Sequence, residues 1–407
     1  MRRYTAHRWL WLLCVSIIAL CLGAAWAISL AIELPSRDEF NVVRWELRHL
    51  PNKWLYLTGR LFRGRLSQAE EDERLGRFLE LSLSIEQLET NAPRAVPSAE
   101  LTQLEKERAR LKNDAEAIIE GRITAVLEDA GLESGLPLFP DARWVLPPVD
   151  AEFEAPPREL VISPRDRIEL IDARPLSPGL SLQRIGEIEL AEEQGGSRSA
   201  LVEPLSGVST YPSIVEPGDD YQSLVETVAH EWVHQYLFFR PLGSRFSANV
   251  ELRTLNETVA TIAGEEIAAL VVREYPLPPA VASELAAGQA PAPQVAVGPA
   301  LRALRLDVDG LLAQGQITAA EALMEQRRQE LARQGVYFRR INQAFFAFAN
   351  VYATHPASTD PIGQKVETLR ERTGTVGAFL RAAARLASEA DLDRLLAGAI
   401  SPGGTGR

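Results

Sequence analysis

Residues Trp9 to Ile32 form an unbroken run without a charged side chain. At about 1.5 Å per residue such a helix crosses the hydrocarbon core of a bilayer. Arg2, Arg3 and Arg8 precede the run, and Glu33, Arg37, Asp38 and Glu39 follow it. The basic flank stays in the cytoplasm, which sends everything after the run to the other side. Residues 1–35 therefore read as a transmembrane signal anchor. A cleaved signal peptide, with Ala25-Trp26-Ala27 as its small-x-small site, is the alternative, but the run is long for one. The expected topology is single-pass, with a cytoplasmic N-terminus and an extracytoplasmic body. Residues 41–65 interleave Trp45, Trp54, Tyr56 and Phe62 with Arg and Lys. Such a segment can lie in the headgroup layer or pack on the helices that follow it.

The rest of the chain reads as α+β and mainly helical. Over 66–90, a Ser67/Glu70 capping box opens a helix whose apolar face carries Leu75, Phe78, Leu79 and Leu88. Over 98–132, Leu104, Leu111 and Ile118 recur at a seven-residue step. The two make a helical hairpin, a stalk or, more simply, a packed layer, within a juxtamembrane region spanning 36–134. From about Leu136 to Val215 prolines recur and short mixed runs follow: Arg158–Ile162, Arg167–Ile171 and Ile185–Leu190. These predict the strands of a small sheet. Residues 219–275 carry two helical patterns, and 135–275 is expected to form one domain. The Pro/Ala-rich stretch 276–299 predicts a linker or flap. A C-terminal helical subdomain over 300–407 follows, with helices near 300–314, from a Thr318/Glu321 capping box, and at 336–352, 362–372 and 376–397.

Composition narrows the chemistry. The formal net charge of −12 leaves no electrostatic footprint for nucleic acid. The two cysteines, Cys14 and Cys21, both fall in the first apolar run, so a metal site in the body has to use histidine and carboxylate. Only five histidines occur, and two of them frame His230-Glu231-Trp232-Val233-His234. Asp219 can cap a helix here, Leu224, Val225, Val228, Trp232 and Leu237 recur at helical spacing, and no Pro or Gly interrupts before Pro241. Imidazoles at i and i+4 then project from one face and can share an ion. Glu231, turned by about 100° around the axis, is placed to act on a water rather than to ligate. A catalytic zinc takes three protein donors and leaves one position open. The third donor is expected from the next helix, where Glu257 lies beside the face formed by Leu252, Leu255, Val259 and Ile262, with Glu251 and Glu265 in reserve.

The pairing of H-E-x-x-H with Asn256-Glu257-Thr258-Val259-Ala260 resembles the gluzincin metallopeptidases, the clan of thermolysin and the zinc aminopeptidases. The text around HEWVHQYLFF and LNETVATIAGEEI is especially similar to bacterial membrane-associated proteins described as predicted aminopeptidases. The likeness covers about 205–275, with a weaker echo at Ile341–Phe348. It implies one Zn2+ held by His230, His234 and Glu257, with Glu231 as general base toward a metal-activated water and a peptide or protein as substrate. Two departures stand out. Residues 235–256 place 22 positions between His234 and Glu257, a few more than usual. The position where thermolysin-like enzymes carry an Asp that orients a histidine holds Thr261, which leaves Asn256, Glu265 or Glu266 for that work. The Gly-x-Met-Glu-Asn signature of aminopeptidases is absent, so the sequence gives no support for amino-terminal specificity.

Several residues stay open at this level. His355, Tyr352 and Tyr211 are alternative donors to the oxyanion of a tetrahedral intermediate. Ala200–Glu203 reads as a strand that either pairs with extended substrate or lies inside a sheet. Asp307-Val-Asp309-Gly310 lacks the further donors of a calcium loop. Phe345, Phe346 and Phe348 read as core. Two other functions fit the same residues: a non-catalytic anchored scaffold with a structural metal, or a zinc hydrolase of a non-peptide amide. A scaffold has no use for Glu231.

Overall fold

The computed structural model describes residues 38–49, 66–91, 99–136, 139–246, 248–289 and 295–398. The expected anchor over 1–35 lies outside them, as do residues 50–65. Among the described residues no helix is long and apolar enough to cross a membrane.

The architecture is α+β and mainly helical, with three small sheets. A short helix, α1, covers 42–49. The hairpin follows as α2 (Gln68–Asn91) and α3 (Ala99–Asp129). The capping box holds, with Ser67 N–H donating to Glu70 Oε2 at 2.8 Å. Leu75, Phe78 and Ile119 of the hairpin join one apolar core with Val228, Trp232, Leu255 and Val259, so the pair is a packed layer behind the two helices of 219–275. Burying each such side chain contributes about 1.5–3 kcal/mol. Arg122, 2% exposed, links the hairpin to the helix in front of it by bonding Asp72 at 2.5 Å and the Tyr221 hydroxyl at 3.0 Å.

Strands β1 (Glu133–Leu136) and β2 (Phe139–Val145) form a ribbon. After β3 (Ala151–Phe153) come β4 (Arg158–Pro164), β5 (Asp172–Leu176), helix α4 (Leu182–Glu193), β6 (Arg198–Pro204), β7 (Gly207–Val208) and β8 (Ser213–Val215). One sheet has the order β5-β4-β6 and is antiparallel throughout; the other has the order β3-β8-β7. Two carboxylates of α3 fix the second sheet: Glu120 accepts from Ala151 N–H at 3.0 Å and Glu116 from Phe153 N–H at 2.8 Å.

Two of the expected strands differ. Residues 185–190 are helical, inside α4. Ser181 caps its first turn by accepting from Arg184 N–H, and Ile185 with Glu189 forms the buried i, i+4 face, so the apparent alternation was a helical one. The strand expected over 167–171 begins instead at Asp172.

Helices α5 (Tyr221–Phe238), the single turn α6 (Pro241–Ser244) and α7 (Val250–Glu274) carry the two helical patterns of 219–275. The expected linker or flap holds α8 (Pro279–Gly288), whose Leu285 is buried in the main core; Gln87 also donates to Gly288 O at 2.9 Å. Then come α9 (Val297–Ala313), α10 (Ile317–Arg333), α11 (Gln343–Val351), α12 (Ile362–Thr373), α13 (Val376–Ala383) and α14 (Glu389–Leu396). The Thr318/Glu321 box does not form: Glu321 accepts from Arg165 at 2.7 Å instead. Helix α11 starts only at its Asn342 cap. The core takes no notice of the segment boundary at 275, because Val366, Phe379 and Leu392 share a cluster with α5 and α7. Phe345 and Phe346 are buried with α9 and α10, and Phe348 packs against them.

Candidate metal centre

Helix α5 starts where Asp220, not Asp219, accepts from Ser223 N–H at 2.6 Å. Polar contacts along the helix set its rotation. Trp232 Nε1 donates to Pro147 O at 2.9 Å, Gln235 Nε2 to Thr210 O at 2.5 Å and Ser213 Oγ at 2.8 Å, and Ser209 Oγ to Glu231 O at 3.1 Å. Helix α7 is capped by Asn249, which accepts from Leu252 N–H at 2.8 Å. The two helices meet at Gly264. A side-chain carbon there would stand 3.1 Å from His230 N and 3.2 Å from Glu226 O, so the missing side chain is what lets α7 come this close.

This approach brings three donors together. His230 Nε2 lies 3.0 Å from His234 Nε2, and Glu257 Oε2 lies 3.3 Å from the first and 3.2 Å from the second. A tetrahedral ion about 2.0–2.1 Å from each donor would set edges of about 3.3 Å. The triangle has the size of one face of that tetrahedron, so these residues can hold a metal ion. The 22 intervening positions are taken up by the last turn of α5, by α6 and by the connection into α7.

Asn256 orients one ligand. Its Oδ1 accepts from His234 Nδ1 at 2.6 Å, which leaves the Nε2 lone pair toward the centre. The other two residues considered for this work are elsewhere: Glu266 accepts from Arg370 at 2.5 Å, and Glu265 is exposed. Thr261 donates to Glu257 O at 2.9 Å within its own helix. His230 Nδ1 has no hydrogen-bond partner among the described residues. Glu251 accepts from Glu389 N–H at 3.0 Å, so neither reserve ligand joins the cluster.

The electrostatics reflect four ionisable groups crowded out of water. Burial raises the Glu257 carboxyl, but His234 and His230 together outweigh it and hold the group well below the usual carboxylate range. Burial lowers His234, yet Glu257, Glu231 and the Asn256 bond outweigh that and raise it to about 9. Burial dominates at Glu231 and pushes its carboxyl up. Glu231 is 6% exposed and lies beside β7: a side-chain carbon at Gly207 would stand 2.6 Å from its Oε1. Glu216 N–H donates to Ser206 O at 2.9 Å, so the next pair along, Gly207 with Val215, is the non-hydrogen-bonded one. The N–H and C=O of Gly207 therefore point away from β8, along the open edge beside Glu231.

Of the three possible oxyanion donors, the structure brings Tyr352 to the centre. Its ring lies 6.5 Å from that of His230, and burial, reinforced by Glu257, holds its hydroxyl well above the ordinary value. His355 accepts from Ala357 N–H at 3.1 Å within its own turn. Tyr211 is tied through its backbone N–H to Glu46 at 3.1 Å. Ala200–Glu203 lies in β6, in the other sheet. Its outward groups are taken: Ala200 N–H by Glu193, Val202 N–H by Glu189, Ala200 O by Asn342 and Val202 O by Arg339.

Sequence reading missed Gly207, Gly264 and the pair Arg253–Glu159. Arg253 lies one turn before Glu257, bonds Glu159 at 2.9 Å and stands 5.8 Å from the Phe246 ring, which faces His234 edge-on at 6.0 Å. Its spacing from Glu257 was the only available signal. No family model, curated protein or solved structure matches the chain.

Proposed function

We propose that the chain is a membrane-anchored zinc metallopeptidase whose body lies outside the cytoplasm. The observation that carries this reading is the triangle of His230, His234 and Glu257 with a fourth buried carboxylate, Glu231, outside the ligand set. Two imidazoles and one carboxylate suit zinc in a site that keeps a position open. When bound, zinc supplies a Lewis acid that polarises a carbonyl and brings a water toward neutral pKa.

This chain's own residues supply the rest. Glu231, buried beside the three donors and outside the ligand set, takes the proton of the attacking water. The Tyr352 hydroxyl, kept protonated, donates to the oxygen on which negative charge develops. The open edge at Gly207 offers an extended peptide a backbone N–H and C=O beside Glu231. A non-catalytic scaffold has no need of that edge or of Glu231. The anchor over residues 9–32 is part of the same proposal.

The test is Glu231→Gln in the full chain, with metal content and hydrolysis of a peptide library measured on one preparation. We expect the metal to be retained and hydrolysis to fall by about 10²–10⁴-fold. Wild-type turnover in the zinc-loaded variant would overturn the mechanism.

A further inference from the structure

Helix α5 ends in two solvent-exposed phenylalanines. Phe238 is 62% exposed and Phe239 81%, and their rings meet edge-to-face with centroids 4.9 Å apart. Together they form a local exposed apolar patch. Arg240 follows, half-buried, donating to Tyr236 O with its guanidinium 3.6 Å from the centroid of the Tyr236 ring, and Arg245 is exposed. Neither forms an ion pair among the described residues.

Helix α1 is linked to this helix through the loop at Thr210–Tyr211. Glu46 accepts from Tyr211 N–H at 3.1 Å, the neighbouring Thr210 carbonyl accepts from Gln235, and Gln235 is one turn before Phe239. Trp45 is buried and donates to Glu154 at 3.0 Å, and His49 stands 3.1 Å from the same carboxylate. The outer side of α1 exposes Val43, Arg44 and Arg48. The carboxylates here, Glu46 and Glu154, thus have partners, while Arg44 and Arg48 have no ion pair among the described residues. Arg240 and Arg245 follow the two phenylalanines in sequence and Arg44 and Arg48 lie on α1, although the whole chain carries a net charge of −12.

The chain's path gives the orientation. Five residues of sequence, 33–37, separate Ile32 from Asp38, a reach of at most about 22 Å. Asp38 is fastened to the body: it bonds Arg184 at 2.8 Å, and its carbonyl accepts from Ser177 N–H at 2.7 Å. An anchor ending at Ile32 therefore holds Asp38, four residues before α1, close to lipid.

We infer that α1 and the end of α5 form a face that rests on an anionic bilayer, with Phe238 and Phe239 in the headgroup layer and Arg44, Arg48, Arg240 and Arg245 against lipid phosphates. His234 precedes Phe239 by five residues, about 7.5 Å of helix. The metal centre then works just above the membrane surface, on chain segments that lie there. The inference rests on the anchor proposed for residues 9–32 and is independent of the metal chemistry.

The test places a nitroxide at Phe239→Cys, and separately at Tyr337→Cys, in full chain carrying Cys14→Ser and Cys21→Ser. Tyr337 is equally exposed, at 81%. The chains are reconstituted into vesicles of phosphatidylcholine and phosphatidylglycerol. We expect the label at 239 to collide more readily with oxygen than with a water-soluble nickel chelate, and the label at 337 to show the reverse. Equal nickel access at both positions overturns the inference. So does protection of 239 from both reagents, which reports a protein partner instead. Alkaline extraction of the same vesicles reports the anchor separately, so failure of the anchor and failure of the docking face give different patterns.

Discussion

The two three-stranded sheets each end in an edge strand that faces a helix, and the chain treats the two edges in opposite ways. At β6 every outward backbone group of Ala200 and Val202 is met by a side chain, and Glu189 at the centre is satisfied by Val202 N–H, Arg339 and Arg340. At β7 the edge at Gly207 is left open, and the carboxylate beside it, Glu231, has no ion-pair partner among the described residues. The buried glutamates differ in the same way. Glu189, 2% exposed, has two arginines; Glu257, 6% exposed, has two imidazoles. A buried carboxylate neutralised by arginine is finished as structure, whereas one set against two imidazoles matches a donor set for a metal ion.

That contrast can be broken or sharpened by mutation. The loss of turnover expected for Glu231→Gln is the largest effect and belongs to the open edge alone. Glu189→Ala is the counterpart at the closed edge. It leaves Arg339 and Arg340 facing a vacated buried site, and we expect a loss of about 3 kcal/mol in denaturant unfolding, with metal content and kcat unchanged. A fall in kcat without a loss of stability would erase the distinction between the two edges.

Gly207→Ala comes next. The added carbon falls within 2.6–2.9 Å of Glu231 and Thr227 atoms, so Glu231 has to shift. We expect kcat/KM to drop by about 10²-fold with full metal content, measured on the same peptides. Asn256→Ala removes the bond that fixes His234 and should weaken zinc binding by about 10–100-fold in a competition titration.

The smallest effect is a pH dependence at the closed edge. Burial pushes the Glu203 carboxyl up to about 7, against the pull of Arg339. A carboxyl raised in the folded state costs nothing while it is protonated in both states. Its cost grows as the pH rises through the unfolded value of 4.5 and is complete above about 7. Glu203→Gln should therefore leave stability unchanged at pH 4 and raise it by about 1–3 kcal/mol at pH 8, as read from unfolding midpoints. Equal effects at both pH values would contradict the burial of this group.

How much of this was legible in the sequence varies with the range of the interaction. The ligand helices were readable because H-E-x-x-H and N-E-x-x-A are local patterns on helices with clear caps and apolar faces. The Ser67/Glu70 box was readable for the same reason, and Thr318/Glu321 failed because α10 already begins at Ile317, with Thr318 inside it, and Arg165, distant in sequence, bonds Glu321. Residues 185–190 misled because apolar residues at 185, 188 and 190 suit either period, and the Ser181 cap decided for helix. The Pro/Ala-rich stretch hid α8 because proline at a helix start is as compatible with helix as with linker. Gly207 and Gly264 were invisible because their meaning lies in what a side chain would strike in another element. Tyr352 could not be told from His355 or Tyr211 until the packing of α11 placed its ring beside His230.

The most direct test of the shared ion is X-ray absorption at the metal edge of the zinc-loaded full chain, alongside the His234→Ala and Glu257→Ala variants. Wild type should hold one ion per chain, with two imidazoles and a carboxylate in a shell at about 2.0–2.1 Å, and each variant should lose that shell. A chain that binds no stoichiometric ion, or whose bound ion shows no imidazole scattering, would contradict the account.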